Sequence, residues 1–451
     1  MKKQTDTREL LLTGNVWSMM ISLSLPAIIG MVVIGLYNFM DAVFVGQMVG
    51  SEAMTAVKVS YPFTLINSGI STLIGVGSAS VMSRAIGKKD RETIDKIMGN
   101  LVAAIFILSV AVIVLGIVFT RPLLSLAGAE GEIMEEAVRY LRIIFMGSLF
   151  VNFAQSSNMV MRGEGLLKQA MLIMGIGAVL NIVLDPIFIS IMKADSGVKG
   201  AAYATLLSQV VQAVITLWYF LKRSENVKIH KIRMDGNLMK GVLGVGVSAM
   251  LMQVMQMVQQ TAMYHVAQKY GGGEWQTILG ASLSLQAFAF IPLWGISQGF
   301  QPAIGTNFGA KNYSRVKEFS GAFVTGATVL ALLFYVPIML FPEKMLSCFI
   351  TESEVAVMGA PMLRLFFSGY ITYGVLILSI TFFQAIGKGG KAAMLTLCRQ
   401  LVLFIPLLIV LPGIGGLGIQ GVFWSVVLTD IIVLILSLIM VMIEFRRIKH
   451  A

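Results

Sequence analysis

The feature that most constrains this chain of 451 residues is a succession of long apolar stretches, each parted from the next by a short polar connection. A helix needs about 20 mainly apolar residues to cross the roughly 30 Å of bilayer hydrocarbon. Twelve stretches meet that length, centred on residues 17–44, 53–83, 97–120, 133–161, 170–192, 200–221, 239–268, 277–307, 320–341, 355–385, 393–411 and 418–444. Several exceed the minimum, so tilt or extension into water is expected. No water reaches the bilayer core, so backbone amides and carbonyls must pair within each segment, which makes each stretch helical. Composition agrees, since 57% of the residues are hydrophobic and only 13% are charged, more apolar than a water-soluble domain of this size tolerates. The predicted fold class is an all-α polytopic membrane protein with twelve transmembrane helices.

Short cytoplasmic loops carry an excess of Lys and Arg, so the basic residues fix the orientation. With the N-terminus inside, that side collects Lys2, Lys3 and Arg8, the run from Arg84 to Lys96, Arg162 and Lys168, and six between Lys222 and Lys240. It continues with Lys311, Arg315 and Lys317, then Lys388, Lys391 and Arg399, and ends with Arg446, Arg447 and Lys449. These are 25 of the 34 basic residues, while the alternate loops gather acids such as Glu130, Glu135, Asp195, Glu274 and Glu352. Both termini are expected in the cytoplasm. The net charge of +11 then reports topology, and a nucleic-acid partner is not implied. The first apolar run is long and lacks a clear small-residue cleavage site, so it reads as an uncleaved helix. Cys348 and Cys398 fall near opposite membrane faces, which indicates neither a disulfide nor a metal cluster.

The chain resembles itself. The run beginning Gly87-Lys-Lys-Asp-Arg matches the run beginning Gly309-Ala-Lys-Asn-Tyr at an offset of 222. Arg162-Gly-Glu-Gly matches Ile386-Gly-Lys-Gly at 224, and Gly200-Ala-Ala-Tyr matches Gly421-Val-Phe-Trp. Three matches in one order at nearly constant offset indicate a duplication. The expected organisation is a six-helix bundle over residues 1–222, a cytoplasmic linker over 223–238 and a second six-helix bundle over 239–451. An even number of crossings relates the halves by an axis along the membrane normal. A binding cavity between them, opened to each side by a rocking motion, is the expectation by analogy of fold.

A carboxylate inside a span costs about 2.5–3.5 kcal/mol on insertion scales, so each calls for a function. Asp41, Asp185 and Asp430 qualify. Asp41 shares a helix face with Tyr37 and Asn38, and Asp185 lies one turn after Asn181 and just before the helix-loosening Pro186. Asp41 and Asp185 both sit towards the outer ends of their spans. Two carboxylates in one dry site cannot easily both ionise, which suits reversible protonation. The same oxygens suit a hard cation such as Na⁺. A third reading makes the group a buried polar cluster that glues helices together. Asp430 lies near the middle of the twelfth span, where the repeat sets Gln209 in the sixth. Either a substrate counter-ion or a structural acid paired within its own half fits it. Gln253, Gln256, Gln259 and Gln260 recur at helical spacing in the seventh span and suit a wet cavity or helix-to-helix bonding alike. Met257 and its methionine neighbours would give such a cavity an adaptable lining. His265 reads as interfacial, and Arg84, Arg162 and Lys311 as topology anchors.

Four motifs carry a family resemblance along essentially the whole chain. They are Tyr37-Asn-Phe-Met-Asp-Ala-Val-Phe-Val-Gly, Met161-Arg-Gly-Glu-Gly, Asn181-Ile-Val-Leu-Asp-Pro and Gln301-Pro-Ala-Ile-Gly-Thr-Asn-Phe-Gly-Ala-Lys-Asn-Tyr. The chain resembles the multidrug and toxin extrusion (MATE) family, and looks like its DinF-type and MepA-like bacterial branch. The resemblance implies a V-shaped pair of pseudo-symmetric six-helix bundles in the bacterial inner membrane that exports amphipathic, mostly cationic compounds in exchange for H⁺ or Na⁺. It carries Asp41, Asn181, Asp185, Thr205 and Tyr140 onto the family's ion-coupling network. Tyr37, Asn38, Gln209, Gln253, Gln256, Gln260, Met257 and Asp430 become candidates for the substrate cavity. One departure stands out: a branch of the family carries acids in the seventh and tenth helices, and this chain has glutamines in the seventh.

No Walker-type loop, His-Glu-x-x-His or Gly-x-Ser-x-Gly pattern occurs, so neither nucleotide drive nor hydrolysis is indicated. The expectation is a non-enzymatic secondary transporter without cofactor beyond its coupling ion, acting as a monomer on small organic substrates. Its rivals are a lipid-linked oligosaccharide flippase of the same superfamily and, in another class, a membrane-embedded enzyme or receptor.

Overall fold

The computed structural model describes residues 2–49, 51–127, 129–192, 197–224, 227–229, 231–350 and 352–449, with side chains from residue 7 onward except at 37–39, 41–43, 46, 51, 52, 54 and 449. The described residues are helical almost throughout, as backbone pairing in lipid requires. A short α1 (Lys2–Thr13) leads into α2 (Val16–Met48), α3 (Ser51–Lys88), α4 (Arg91–Leu126), α5 (Gly131–Met146), α6 (Ser148–Gly163), α7 (Leu167–Met192) and α8 (Gly197–Trp218). Then come α9 (Gly236–Gly309), α10 (Tyr313–Leu340), α11 (Pro342–Ser347), α12 (Ser353–Ser368), α13 (Tyr373–Ala385), α14 (Gly389–Leu397), α15 (Phe404–Val410) and α16 (Ile419–Lys449).

Ten helices among the described residues are long and apolar enough to cross a membrane, and α5 with α6, bent by 52°, make an eleventh span. The 74 residues of α9 are interrupted at Gly272, whose φ of 74° and ψ of −165° belong to no helix. Its two arms, 236–271 and 273–309, are therefore separate crossings, and the expected twelve are present.

The duplication is written in the backbone. Only two non-glycine residues among those described have positive φ, Lys89 at 59° and Lys311 at 60°, and they are 222 positions apart. Each closes a helix in the same way: the Asp90 amide donates to the Ala85 carbonyl at 3.0 Å and the Asn312 amide to Asn307 at 2.9 Å. Gly165 (φ 84°) and Gly387 (φ 81°) repeat the pattern at the same offset, with Leu166 bonded to Met161 and Lys388 to Phe383. The second sequence match therefore shifts from an offset of 224 to 222, because the position that must turn left-handed is fixed by geometry and not by the side chains around it.

The chain forms two compact units, residues 1–9 with 29–246 and residues 10–28 with 247–451. The opening segment of α2 thus belongs to the second unit, and the opening segment of α9 to the first. Within the first unit, a Cβ on Gly77 would overlap the Val242 carbonyl and one on Gly246 would overlap that of Leu73. Within the second, a Cβ on Gly295 would stand 2.7 Å from Ile28 Cα, and one on Gly299 would stand 3.1 Å from the Leu23 backbone. Positions 73 and 77 of α3 map onto 295 and 299 of α9 at the repeat offset, so one backbone-on-backbone seam occurs twice. Side chains tie the same ends. Arg8 donates to the Ile86 and Gly87 carbonyls at 2.9 and 3.0 Å, Asn307 to Leu11 at 3.1 Å, and Arg315 to Gly14 at 2.5 Å.

The connection between the halves is held rather than loose. Val227 is fully buried, the Asp235 amide donates to Asn100 Oδ1 at 2.9 Å, and Gly99 makes room for the Lys231 carbonyl. The Asp235 carboxylate caps α9 by accepting from Leu238 and Asn237, and those amides hold its pKa below the usual carboxylate value.

The seam predicts a contrast within one turn of α9. A Cβ on Gly244 meets nothing within 4 Å, whereas one on Gly246 collides with main chain. Gly246→Ala should destabilise the protein by about 1–3 kcal/mol, while Gly244→Ala should be neutral or stabilising by about 0.5–1 kcal/mol. Thermal unfolding in detergent or nanodiscs reads the difference, and equal midpoints would show that the seam does not constrain the fold.

Candidate functional site

In the first unit, α7 brings Asn181 and Asp185 onto one face a turn apart, and α8 sets Thr205 against them. Asn181 Nδ2 donates to Asp185 Oδ1 and to Thr205 Oγ1, both at 3.3 Å. All three residues are buried, Asp185 completely. Pro186 follows inside α7 and leaves the Ile182 carbonyl without its helical amide. Tyr140 of α5 is buried in an apolar cluster with Ile143, Ile189, Val198 and Val45. Val45 is four residues beyond Asp41 in α2, and Ile189 is four residues beyond Asp185 in α7, so the helix positions after the two acids share one cluster. The side chains of Tyr37, Asn38 and Asp41 lie outside the described residues.

Beside Asn181 and Thr205 the first unit encloses a cavity of about 100 Å³, lined by Ile34, Val151, Gln155, Met174, Gly177, Ala178, Ser208, Gln209 and Gln212 as well. Gly177 contributes to its space, because a Cβ there would stand 3.2 Å from the Gln212 amide. The expected cavity residue Gln209 is thus placed near the acid site. A space this polar, with several donors and acceptors converging, suits water or a hydrated cation.

The sequence reading missed a second polar knot in the same unit. Asn152 Nδ2 donates to Ser109 Oγ at 2.9 Å and to Asn67 Oδ1 at 3.4 Å, while Ser71 Oγ donates to Asn152 Oδ1 at 3.0 Å. All four residues are buried, and they join α3, α4 and α6. The available signal was the helical spacing of Asn67 with Ser71 and of Asn152 with Ser156 inside apolar spans, which marks a wet or bonded helix face.

In the second unit Asp430 of α16 accepts from Arg399 Nε at 2.8 Å. Arg399 was counted among the cytoplasmic anchors; the structure places it inside the bundle, with its side chain only 14% exposed and that of Asp430 3%. A buried carboxylate within hydrogen-bond reach outweighs the pull of the interface on a guanidinium, because an unpaired buried acid is strongly destabilising. The guanidinium lies 4.5 Å from the Tyr373 ring centroid. Met257 lines an open apolar groove with Val254, Val258, Thr261, His265 and Leu408, and Gln253, Gln256 and Gln260 are absent from its walls. Near the end of α16, buried Glu444 accepts from Lys388 and, at 2.5 Å, from Lys391. No group of three or more His, Cys, Asp or Glu among the described residues is arranged to hold a metal ion.

Comparison with known proteins places the chain. The MatE family profile matches residues 26–187 and again 248–410, the two matches starting 222 positions apart. The multidrug export protein MepA of Staphylococcus aureus (strain MRSA252) is 26% identical over 417 residues, covering 92% of this chain and 91% of its own. A multidrug resistance MATE family transporter of the MOP superfamily, solved in an outward-facing conformation, superposes with a TM-score of 0.91 at 28% identity and 98% coverage of both chains. A MOP superfamily transporter from Pyrococcus furiosus, described as having a binding pocket of reversed polarity, superposes at 0.90 with 28% identity and the same coverage. The chain belongs to the MatE family, and is a multi-pass membrane transporter rather than an enzyme.

Proposed function

We propose that the protein is a secondary multidrug exporter that moves amphipathic, mostly cationic compounds out of a bacterial cell by alternating access in exchange for H⁺ or Na⁺. The observation that carries this reading is the fully buried Asp185, bonded to Asn181 beside Thr205 at the wall of a small polar cavity. A carboxylate is retained at such depth against an insertion cost of about 2.5–3.5 kcal/mol, which favours a role in carrying charge. The Asn181 amide donates to the Asp185 carboxyl, and this carboxyl is the group that takes the proton or cation in exchange. Asp41 of α2, in the same unit as Asp185 of α7, is the second acid of the coupling site, and Tyr140 closes its apolar side. MepA is named for multidrug export and the solved MATE family transporter for multidrug resistance, and the proposal extends export to this chain. The transporter acts as a monomer, with both termini in the cytoplasm.

Purified protein in liposomes should move an ethidium-like lipophilic cation when a pH or Na⁺ gradient is imposed, and imposing the two gradients separately identifies the ion. Asp185→Asn and Asp41→Asn should each abolish gradient-driven flux while leaving the protein folded. Wild-type flux in both variants would remove the coupling site from the first unit. Translocation of a lipid-linked sugar with no gradient-driven dye flux would replace the exporter reading with a flippase.

Orientation has its own test in the native cysteines. Cys348 is exposed and Cys398 is partly covered, the latter within the span Gly389–Gly413. With the N-terminus inside, Cys348 follows nine crossings and faces outwards. A membrane-impermeant maleimide applied to intact cells should label Cys348, and protection of it until the membrane is broken would invert the topology.

A further inference from the structure

The second unit contains a buried charge pair for which the coupling site has no use. Asp430 is joined to Arg399, whose guanidinium lies over the Tyr373 ring at 4.5 Å from its centroid. That ring is itself held: Gln286 Nε2 donates to the Tyr373 hydroxyl at 2.7 Å, and Tyr370 packs beside it at 5.5 Å with its own hydroxyl donating to the Ala289 carbonyl at 2.7 Å. Two breaks in helical geometry meet here. Tyr370–Thr372 is a tight 3₁₀ turn between α12 and α13, and Arg399 sits in the wide π turn Cys398–Val402 between α14 and α15. Such turns re-aim side chains and concentrate at functional sites.

A carboxylate and an aromatic face that together hold a flat, delocalised cation are the elements of organic-cation recognition. We infer that Asp430, Tyr373 and Gln286 form a binding site for a delocalised organic cation of the guanidinium, amidinium or N-alkylated heteroaromatic class, with Arg399 as a tethered occupant that the ligand replaces. The exchange is cation for cation. Asp430 therefore never stands unpaired in the bundle, the state that would be costly. Arg399 is the member suited to leave, since its flexible stem is more exposed than Asp430 and the structure gives one N–H contact to the acid where a guanidinium fork can make two. The inference deepens the exporter reading by naming a substrate class and a place for it, but binding alone tests the site.

The experiment uses the full-length protein in detergent with methylguanidinium at millimolar concentration, far below denaturing levels, and NaCl at equal ionic strength as control. Arg399→Ala should melt below the wild type and regain stability with methylguanidinium in a saturable manner, with an apparent affinity at least about tenfold tighter than the wild type shows, because the tethered arginine competes at an effective concentration in the millimolar range. Adding Asp430→Asn to Arg399→Ala should remove the rescue, and adding Tyr373→Leu should weaken it. Accumulation of Arg399→Ala only in cells supplied with methylguanidinium would also support the site. If that variant does not accumulate at all, Arg399→Lys keeps a cation of shorter reach and the same shift is read on it. No saturable shift in either variant, or an equal shift in the Asp430→Asn double variant, overturns the proposal. Loss of rescue leaves wild-type gradient-driven flux untouched, whereas absent flux with rescue intact would overturn the exporter reading alone.

Discussion

The architecture depends on how closely two helix backbones can approach when one of them has no side chain in the way. At Gly77 against Val242, Gly246 against Leu73, Gly295 against Ile28 and Gly299 against Leu23, main chain lies on main chain. Small residues allow this in membranes, where apolar side chains gain nothing by leaving lipid and association relies on packing and polar contacts. The seam lets the opening segment of each half's first helix settle in the other compact unit. A duplicated chain could have folded as two independent bundles. This one is laced by α2 and α9, so neither half is complete without a segment of its sibling.

The same scarcity of driving force explains the polar interiors. In water, a buried Asn or Ser mostly loses; in lipid, a polar contact is one of the few attractions that can select one helix pairing over another, at about 0.6 kcal/mol on average. The knot of Asn67, Ser71, Ser109 and Asn152 is of this kind: neutral, bonded within itself and spread over three helices. Asp185 differs in kind, because it is an acid, and on the proposed reading it is the group that takes up the proton or cation. The cavity walled by Gln155, Gln209 and Gln212 lies against its partners Asn181 and Thr205.

Much of this was legible in the sequence, for identifiable reasons. Span number and helical class follow from the lipid constraint on backbone pairing, which leaves few alternatives. The grouping of Asn181 with Asp185 follows from the four-residue turn, while Thr205 came only with the family resemblance, and the structure sets it within hydrogen-bond reach of Asn181. What escaped was information carried by partners distant in sequence. Arg399 looked like a loop cation because charge counting assigns basic residues by their place along the chain, and only the fold shows a carboxylate 31 positions away within reach. The linker reads only as polar chain between the halves, and its amide bond to Asn100 spans 135 positions. Repeat offsets drifted by two residues until the left-handed turns at Gly165 and Gly387 fixed them.

Fold symmetry and charge symmetry therefore part company. The two halves reproduce each other's helix-closing turns to the residue and repeat a glycine seam between corresponding helices, yet their buried acids stand in different surroundings. Asp185 accepts from the amide of Asn181. Asp430 is met by a full positive charge from its own chain, so its unit is neutral at that point before any ligand arrives. A duplicated transporter with an open acid in both halves would have two sites competing for the coupling ion. On the proposed reading, pairing Asp430 with an arginine leaves ion exchange to the first unit and makes the second acid one that a cation of similar shape reaches.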